Sequence, residues 1–326
     1  SRVTISEVVA DLLDEQLVIE LGTRADARPG KPATMLDVNR QGHSIIGLDL
    51  SSSGSFVGVV TDLDGVVVAR AEVDNPQASG DAAVRAVETL LQDLVALAPC
   101  PVLGAGVGTP GIVDDRGVVV SAPNLGWRDV PLQERLIAVC GLPVAVANDA
   151  NAALVGEHSF GQGRPDTILV RIGRGVGSGL MIDGRVVGGG RHAAGEIGHV
   201  VVGTDEGEPC ACGNRGCLET WLAMPRIEAH LAEPGADPDA VLAEAGRRLG
   251  IVLAPIVSAL NLAEVVLAGP NADISAPLLA AVESTVRDRT LADTHGDLRL
   301  RMTELGRDLV ALGAVVLVLR GRLGVA

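Results

Sequence analysis

The sequence predicts a two-lobed α/β protein preceded by a short helix and a β-hairpin. The chain of 326 residues is long enough for two or three domains, and its 47% hydrophobic residues can supply a core for each. From residue 44 onward, strand-like and helix-like segments alternate, which is typical of α/β folds. The turn pattern Asp-Gly-x-Val-Val at residue 64 recurs at residue 183, which indicates two related halves with a cleft between them.

Residues 1–40 are expected to form a separate unit. Apolar residues at helical spacing run from Val3 to Leu13, and a short strand over 17–19 follows. A second strand is expected over 34–38, after a turn-rich basic stretch. A helix followed by a basic-tipped hairpin is half of a winged helix-turn-helix, whose two leading helices would precede the first residue. The alternative is a dimerisation or linker helix.

Candidate DNA-contacting side chains lie at the start of this helix and at the tip of the hairpin. Recognition helices present their first residues to base edges, while cations near a wing tip contact phosphates. Residues 1–40 contain more acidic than basic residues, so the expectation rests on position and not on bulk charge. The candidates are Arg2, Thr4 and Ser6 in the helix and Arg24, Arg28 and Lys31 in the hairpin.

The two lobes are expected over 41–152 and 153–326. The first should begin with a three-stranded meander and continue as helix, strand, helix, strand. The second opens in the same way with two strands and an Asp-Gly turn, and we expect its last helix to pack back on the first lobe. The strands are expected over 45–50, 56–60, 66–69, 101–107, 143–147, 168–172 and 178–182, and the helices over 80–97 and 131–139.

Charge and hydropathy exclude two classes of protein. A net charge of −15 is too acidic for a protein that coats nucleic acid with its whole surface, so any DNA contact must be local. The longest uncharged run, 94–113, contains three prolines and four glycines and therefore predicts no membrane-spanning helix. The first residues lack the features of a signal peptide, so we expect the chain in the cytoplasm.

The strongest motif is one histidine followed by three closely spaced cysteines: His199, Cys210, Cys212 and Cys217. One imidazole and three thiolates complete a tetrahedral zinc shell with no open position, which predicts a structural ion. Gly213 and Gly216 allow the chain to wrap tightly around it. The alternative, free thiols beside a surface histidine, leaves a group of reactive cysteines unexplained.

Polar residues are also expected at the mouth of the cleft. Asn148 and Asp149 stand where an apolar strand gives way to a helix, so Asp149 is interpreted as either a general base or a helix cap. Glu196 and Glu219 flank the zinc loop, where the metal would hold both carboxylates as acceptors for the hydroxyls of a polyol.

Several blocks together resemble the ROK family of repressors, open reading frames and sugar kinases. The resemblance covers almost the whole chain, and residues 1–40 resemble the recognition helix and wing of the regulator branch. It implies an actin-like ATPase (hexokinase-like) fold, with two α/β lobes around a sugar cleft. The blocks are 109–114, 122–127, the glycine-rich stretch 172–180 with its continuation 184–191, Glu196-Ile-Gly-His199 and Cys-x-Cys-Gly-x-x-Gly-Cys at 210–217.

The resemblance also implies a set of sugar-contacting residues. Asp149 matches the catalytic base of the kinase branch. His199 would bind zinc through one ring nitrogen and donate to a sugar hydroxyl through the other. The implied set is Gly111, Asn124, Asn148, Asp149, Glu196, His199 and Glu219.

The blocks that bind nucleotide in the kinase branch are altered. The family pattern Asp-x-Gly-Gly-Thr reads Asp49-Leu-Ser-Ser-Ser53, which adds Cβ atoms where backbone amides approach the phosphates. Gly-Thr-Gly reads Gly173-Arg-Gly175, and Gly-Gly near the adenosine reads Ala268-Gly-Pro270. We therefore expect a chain that kept sugar binding and lost phosphotransfer.

The expected function is that of a sugar-responsive transcriptional regulator, specifically a repressor, and not that of an enzyme. Its partners would be a sugar or sugar derivative and operator DNA, with structural Zn²⁺ as the cofactor and a homodimer or homotetramer as the assembly. The alternative is a zinc-containing, ATP-dependent sugar kinase of the glucokinase type, in which Arg174 and the serines bind phosphate themselves.

Overall fold

The computed structural model of the chain describes residues 2–23, 34–52, 54–74, 79–203, 207–269 and 275–325. The α-helices are α1 Arg2–Asp14, α2 Asp81–Leu97, α3 Leu132–Cys140, α4 Asp149–Phe160, α5 Glu219–Leu222, α6 Met224–Leu231, α7 Pro238–Leu260, α8 Ser275–Arg289, α9 Ala292–His295 and α10 Leu309–Leu323. The strands before α4 are β1 Val18–Thr23, β2 Thr34–Val38, β3 Ser44–Asp49, β4 Ser55–Thr61, β5 Val67–Asp74, β6 Val102–Thr109, β7 Ile112–Val113, β8 Val119–Ala122, β9 Trp127–Val130 and β10 Val144–Asn148. The strands after it are β11 Thr167–Ile172, β12 Val176–Ile182, β13 Arg185–Val186, β14 Glu264–Ala268 and β15 Arg299–Met302.

The two large sheets have the same strand order. In the first, β3, β4 and β5 form an antiparallel meander, and β6 and β10 add in parallel beside β3 to give the order β10-β6-β3-β4-β5. In the second, β11, β12 and β13 form the meander, and β14 and β15 add in parallel beside β11. Both Asp-Gly turns, at 64–65 and 183–184, connect the second strand of a meander to the third. The two-lobed α/β fold expected from the sequence is therefore confirmed.

Helices α4 and α10 connect the two sheets. Helix α10 lies directly on β3 and β6, because a Cβ at Gly47 would overlap the carbonyl oxygen of Ala311 and one at Gly106 would overlap that of Ala314. Helix α4 contacts α10 and also packs into the core of the second sheet. The chain thus returns from its C-terminal half to cover a face of the first sheet.

A buried ion-pair network fixes α4 to the second sheet. Arg301 on β15 lies 2.7 Å from Glu157 on α4 and 2.8 Å from Glu264 on β14. Glu157 is 1% exposed and Glu264 is fully buried, so both carboxylates need this cation. The first residue of α4 is consequently held in a constant position relative to the second sheet.

The N-terminal unit forms the helix and hairpin expected from the sequence. Strands β1 and β2 pair antiparallel, and α1 contacts β1. The apolar side chains of Ile5 and Val8 on α1 are exposed, at 68% and 52%. The identity of this unit as part of a winged helix-turn-helix remains a prediction.

Within the described ranges, no helix combines the length and the apolar character needed to cross a bilayer.

Candidate sugar and metal site

The carboxyl ends of the parallel strands bring the candidate residues together. Strands β3, β6 and β10 end at Asp49, Thr109 and Asn148, and their registers place Asp49 beside Gly108 and Asn148 beside Thr109. Ligands of α/β sheets bind outside the carboxyl ends of parallel strands, so this edge faces the cleft.

Asn148 is the N-cap of α4. Its Oδ1 accepts hydrogen bonds from the amides of Ala150 at 2.9 Å and Asn151 at 3.1 Å, while its Nδ2 donates to the carbonyl of Gly111 at 2.9 Å. Gly111 has a φ of 91°, which a residue with a Cβ rarely adopts. The alternative that Asp149 caps the helix is therefore wrong by one residue, because Asn148 already binds the free amides of the first turn.

Asp149 is the first residue of α4 and forms an ion pair with Arg171 of β11. Arg171 contacts Oδ2 of Asp149, and Oδ1 accepts a hydrogen bond from the amide of Ala150 at 2.9 Å. Burial raises the pKa of Asp149, the Arg171 cation acts against this shift, and the nearby Asp49 carboxylate adds to it. The site therefore contains a largely buried carboxylate whose ionised form is favoured by one arginine and one backbone amide.

Glu196, His199 and Glu219 lie on the second-lobe side of the cleft. The Nε2 atom of His199 is 4.0 Å from a carboxylate oxygen of Glu196. Burial raises the pKa of Glu196, His199 acts against the shift, and the Asp149 and Glu219 charges both add to it. Glu196 thus lies close enough to the other two carboxylates implied by the family resemblance, Asp149 and Glu219, for both charges to act on it.

The histidine and three cysteines fit a tetrahedral metal ion. Cys210 Sγ is 3.5 Å from His199 Nδ1, Cys212 Sγ is 3.6 Å from Cys217 Sγ, and all four ligand atoms lie within 4.8 Å of one another. Zinc–sulfur bonds of about 2.3 Å in a tetrahedron place two sulfurs about 3.7 Å apart. Gly213 and Gly216 have φ values of 97° and 71°, as a tight wrap around an ion requires. The cluster can hold a metal, with the Nε2 atom of His199 left over.

Glu219 links this metal cluster to the turn between β11 and β12. Its Oε2 accepts a hydrogen bond from the amide of Val176 at 3.0 Å, and its Oε1 lies 3.8 Å from the sulfur of Cys210. A Cβ at Gly175 would collide with the same carboxylate. The far end of the turn is held as well, because the amide of Met224 donates to the carbonyl of Gly173 at 2.8 Å.

The blocks at 49–53 and 173–175, which the family resemblance assigns to nucleotide binding in the kinase branch, are described in part. The amide and hydroxyl of Ser51 both donate to Asp49 Oδ1, at 2.7 and 2.5 Å, so this carboxylate is occupied by its own turn. Arg174 is exposed at the tip of the β11–β12 turn. Ser53 and Pro270 lie outside the described residues.

Some sequence candidates are not joined to this cluster. Asn124 is exposed in the short 3-10 turn at 123–125, and no hydrogen bond among the described residues connects it to the carboxylates. Thr4 and Ser6 are exposed on α1, and Arg2 stands at the start of that helix. Arg24, Arg28 and Lys31 lie outside the described residues.

Sequence reasoning missed Arg171. The residue lies in an apolar strand directly before the glycine turn, and its partner is 22 positions away. The one available signal is a cation within a strand whose other residues are buried or apolar, because a charge in such a strand needs a partner.

Comparison with known proteins gives consistent results over most of the chain. Residues 45–321 match the sequence pattern described as the ROK family. The xylose repressor of Caldicellulosiruptor bescii is 28% identical over 98% of this chain and 88% of that protein. A crystal structure described as a ROK family transcriptional regulator, a homolog of the E. coli MLC protein, has a TM-score of 0.83 and 24% identity, covering 98% of this chain and 88% of that one.

A kinase is also similar, over a shorter part of the chain. The ROK family glucokinase from Streptomyces griseus, solved with glucose and AMPPNP, has a TM-score of 0.71 and 27% identity, and it covers 84% of this chain and 98% of that one.

Proposed function

Because this chain belongs to the ROK family, we propose that it is a sugar-responsive transcriptional regulator that represses its target genes. The sugar binds near the carboxyl ends of the parallel strands of the two sheets. Its contacts are Asp149, Glu196, His199 and Glu219. The observation that carries this proposal is the extent of the alignments. The xylose repressor aligns over 98% of the chain, whereas the glucokinase structure covers 84%.

The N-terminal unit supports the regulator over the kinase. The family match begins at residue 45, so α1, β1 and β2 lie outside it. In the proposed function this unit belongs to a winged helix-turn-helix that contacts operator DNA. A two-fold operator would require a homodimer or homotetramer, and such a regulator acts in the cytoplasm.

The metal cluster holds a structural zinc in this proposal. Its four ligands leave no open position, so the ion would contribute folding energy and not chemistry. Through Glu219 it would also fix the β11–β12 turn beside the sugar.

The alternative function is an ATP-dependent sugar kinase, and one observation favours it: Asp149 stands where the kinase branch has its catalytic base. One contact argues against it. The amide and hydroxyl of Ser51 both donate to Oδ1 of Asp49, so that oxygen is occupied by its own turn. A general base without oriented phosphates supplies only its own share of a rate enhancement, roughly 10² to 10⁴-fold.

The test combines calorimetry with a coupled kinase assay. D-Xylose is the first ligand, because the relative aligned over nearly the whole chain is named for it, and D-glucose and Mg-ATP follow. We expect one sugar bound per chain and no ATP-dependent turnover. Turnover that disappears in Asp149→Asn would replace the regulator with the kinase, and no binding of any sugar in a panel of pentoses, hexoses and amino sugars would remove the sugar response.

A further inference from the structure

We propose, on the basis of the proposed sugar site, that Arg171 is a positioning residue that keeps Asp149 ionised and fixed as a hydrogen-bond acceptor for the sugar. The inference starts from the ion pair between the two side chains, which crosses from β11 to the first residue of α4.

The geometry holds the Asp149 carboxylate from two sides. A guanidinium nitrogen of Arg171 donates to Oδ2, and the amide of Ala150 donates to Oδ1. A carboxylate has about four lone-pair sites, so about two remain for ligand hydroxyls. The side chains of Asp149 and Arg171 are 15% and 22% exposed, so both are withdrawn from bulk water but still accessible from the cleft.

Among the described residues, Arg171 is the one cation that acts on Asp149. The other charges acting nearby are the carboxylates of Asp49 and Glu196, which oppose ionisation. The described backbone positions closest to the start of α4 are uncharged: Gly108 of β6 lies against Asp149, and Gly177 of β12 lies against Ala150.

Neither partner can move away easily. Arg171 lies on β11, the central strand of the second sheet. It pairs with Gly177 of β12 on one side and Ala268 of β14 on the other. Helix α4 is fixed to the same sheet through the buried pair of Glu157 and Arg301. Asp149 and Arg171 therefore form one rigid unit, and a ligand meets an acceptor whose direction is set in advance.

Removing the cation has a consequence of definite sign. Burial already raises the pKa of Asp149, and the Arg171 charge acts against that shift, so its loss raises the pKa further. The carboxyl is protonated below its pKa and ionised above it. In an Arg171→Gln variant, sugar affinity should therefore fall most at low pH and recover as the pH rises.

The experiment compares Arg171→Gln with Arg171→Lys and with Arg185→Gln, which removes an exposed arginine from β13 of the same sheet. D-Xylose affinity is measured by calorimetry across a pH series from mildly acidic to mildly basic. In parallel, the Asp149 carboxyl of the sugar-free protein is titrated by ¹³C NMR, and Asp149→Asn identifies its signal.

Arg171→Gln should weaken D-xylose binding by roughly tenfold or more at the acidic end. Its Asp149 titration midpoint should move to higher pH. Arg171→Lys should return the midpoint toward that of the unchanged protein, and Arg185→Gln should match the unchanged protein in both measurements. An unmoved midpoint in Arg171→Gln would overturn the proposal.

The two proposals can fail separately. If the unchanged protein binds no sugar of the panel of pentoses, hexoses and amino sugars, the sugar assignment fails, while the NMR midpoints still decide the role of Arg171. If Arg171→Gln does not fold, the Asp149 midpoint in Arg171→Lys still reports the effect of the cation, and Asp149→Asn tests whether the sugar needs an ionised carboxylate, because the amide imitates the protonated acid. Its affinity should equal the low-pH affinity of the unchanged protein at every pH, and full affinity at high pH would contradict the inference.

Discussion

At the residue scale, Asn148 connects two parts of the first lobe. It caps α4 through its side-chain oxygen and holds the Gly111 turn through its side-chain nitrogen. Replacing it with alanine leaves the first amides of α4 and the Gly111 carbonyl without these partners.

We expect Asn148→Ala to lower the free energy of unfolding by about 1 to 2 kcal/mol, the usual cost of losing an N-cap. Urea denaturation followed by circular dichroism measures the change. Asn124→Ala serves as the control, because Asn124 is exposed and should change stability by less than about 0.5 kcal/mol. Equal effects of the two variants would contradict the capping role.

Individual residues differ in how far sequence alone can place them. The metal ligands were predictable, because thiolates and an imidazole at close spacing have few other uses. Glu196 and Glu219 could be proposed from their position on either side of the cysteine loop, and the family resemblance added their role toward a sugar. Arg171 and the cap at Asn148 were not predicted, because a long-range ion pair and the exact start of a helix depend on how separate elements approach one another.

At the element scale, the contact between α10 and the first sheet depends on glycine. A Cβ at Gly106 would overlap the carbonyl of Ala314, whereas a Cβ at Gly321, near the exposed end of the same helix, would meet no atom within 4 Å.

Gly106→Ala should therefore destabilise the protein by about 1 to 3 kcal/mol through overpacking. Gly321→Ala should stabilise it by up to about 1 kcal/mol, because alanine is the better helix former. Thermal unfolding of the two variants gives the comparison. A neutral Gly106→Ala would mean that α10 can shift without cost.

The zinc loop is the second element whose effect can be measured at a distance. Elemental analysis should find one zinc per chain. Cys212→Ser should release the metal and also weaken sugar binding, because Glu219 lies beside Cys210 and holds the turn at Val176. Cys100→Ser is the matched control, since Cys100 lies outside the cluster. If metal-free Cys212→Ser bound sugar with full affinity, the metal cluster would have no effect on the proposed sugar site.

Elements were predicted well where their patterns are local. The observed strand β10, Val144–Asn148, and helix α3, Leu132–Cys140, each lie one residue from the expected bounds. The repeated Asp-Gly turn predicted two related halves, and the common strand order agrees with it. Strand β1 extends further than expected, because pairing with β2 continues to Gly22 and Thr23, which carry no alternating pattern.

At the scale of the whole molecule, the proposed function requires the sugar site and the DNA-reading unit to share one equilibrium. Allosteric coupling free energies are typically about 1 to 3 kcal/mol, which corresponds to about 5- to 150-fold in operator affinity. A ligand shifts that equilibrium only if it binds the two states differently.

In the natural gene product, Glu196→Ala should keep operator binding and lose the response to sugar. Lys31→Ala should weaken DNA binding and leave sugar affinity unchanged. Fluorescence anisotropy with DNA selected from the gene's own upstream region, with and without sugar, measures both. Because the chain carries a net charge of −15, the DNA arm is run at low salt. A protein that ignores DNA under these conditions would leave a sugar-binding protein without a regulatory role.

The position of α10 also constrains how this protein is made. The helix that covers one face of the first sheet is formed by residues 309–323, at the far end of the chain from β3. During synthesis the ribosome releases the N-terminal unit and the first sheet long before this helix emerges. The first sheet therefore lacks this cover until residues 309–323 have emerged, and a chain terminated before them would expose an apolar sheet face to chaperones and proteases. A finished first lobe behind the N-terminal unit thus requires translation to continue through α10.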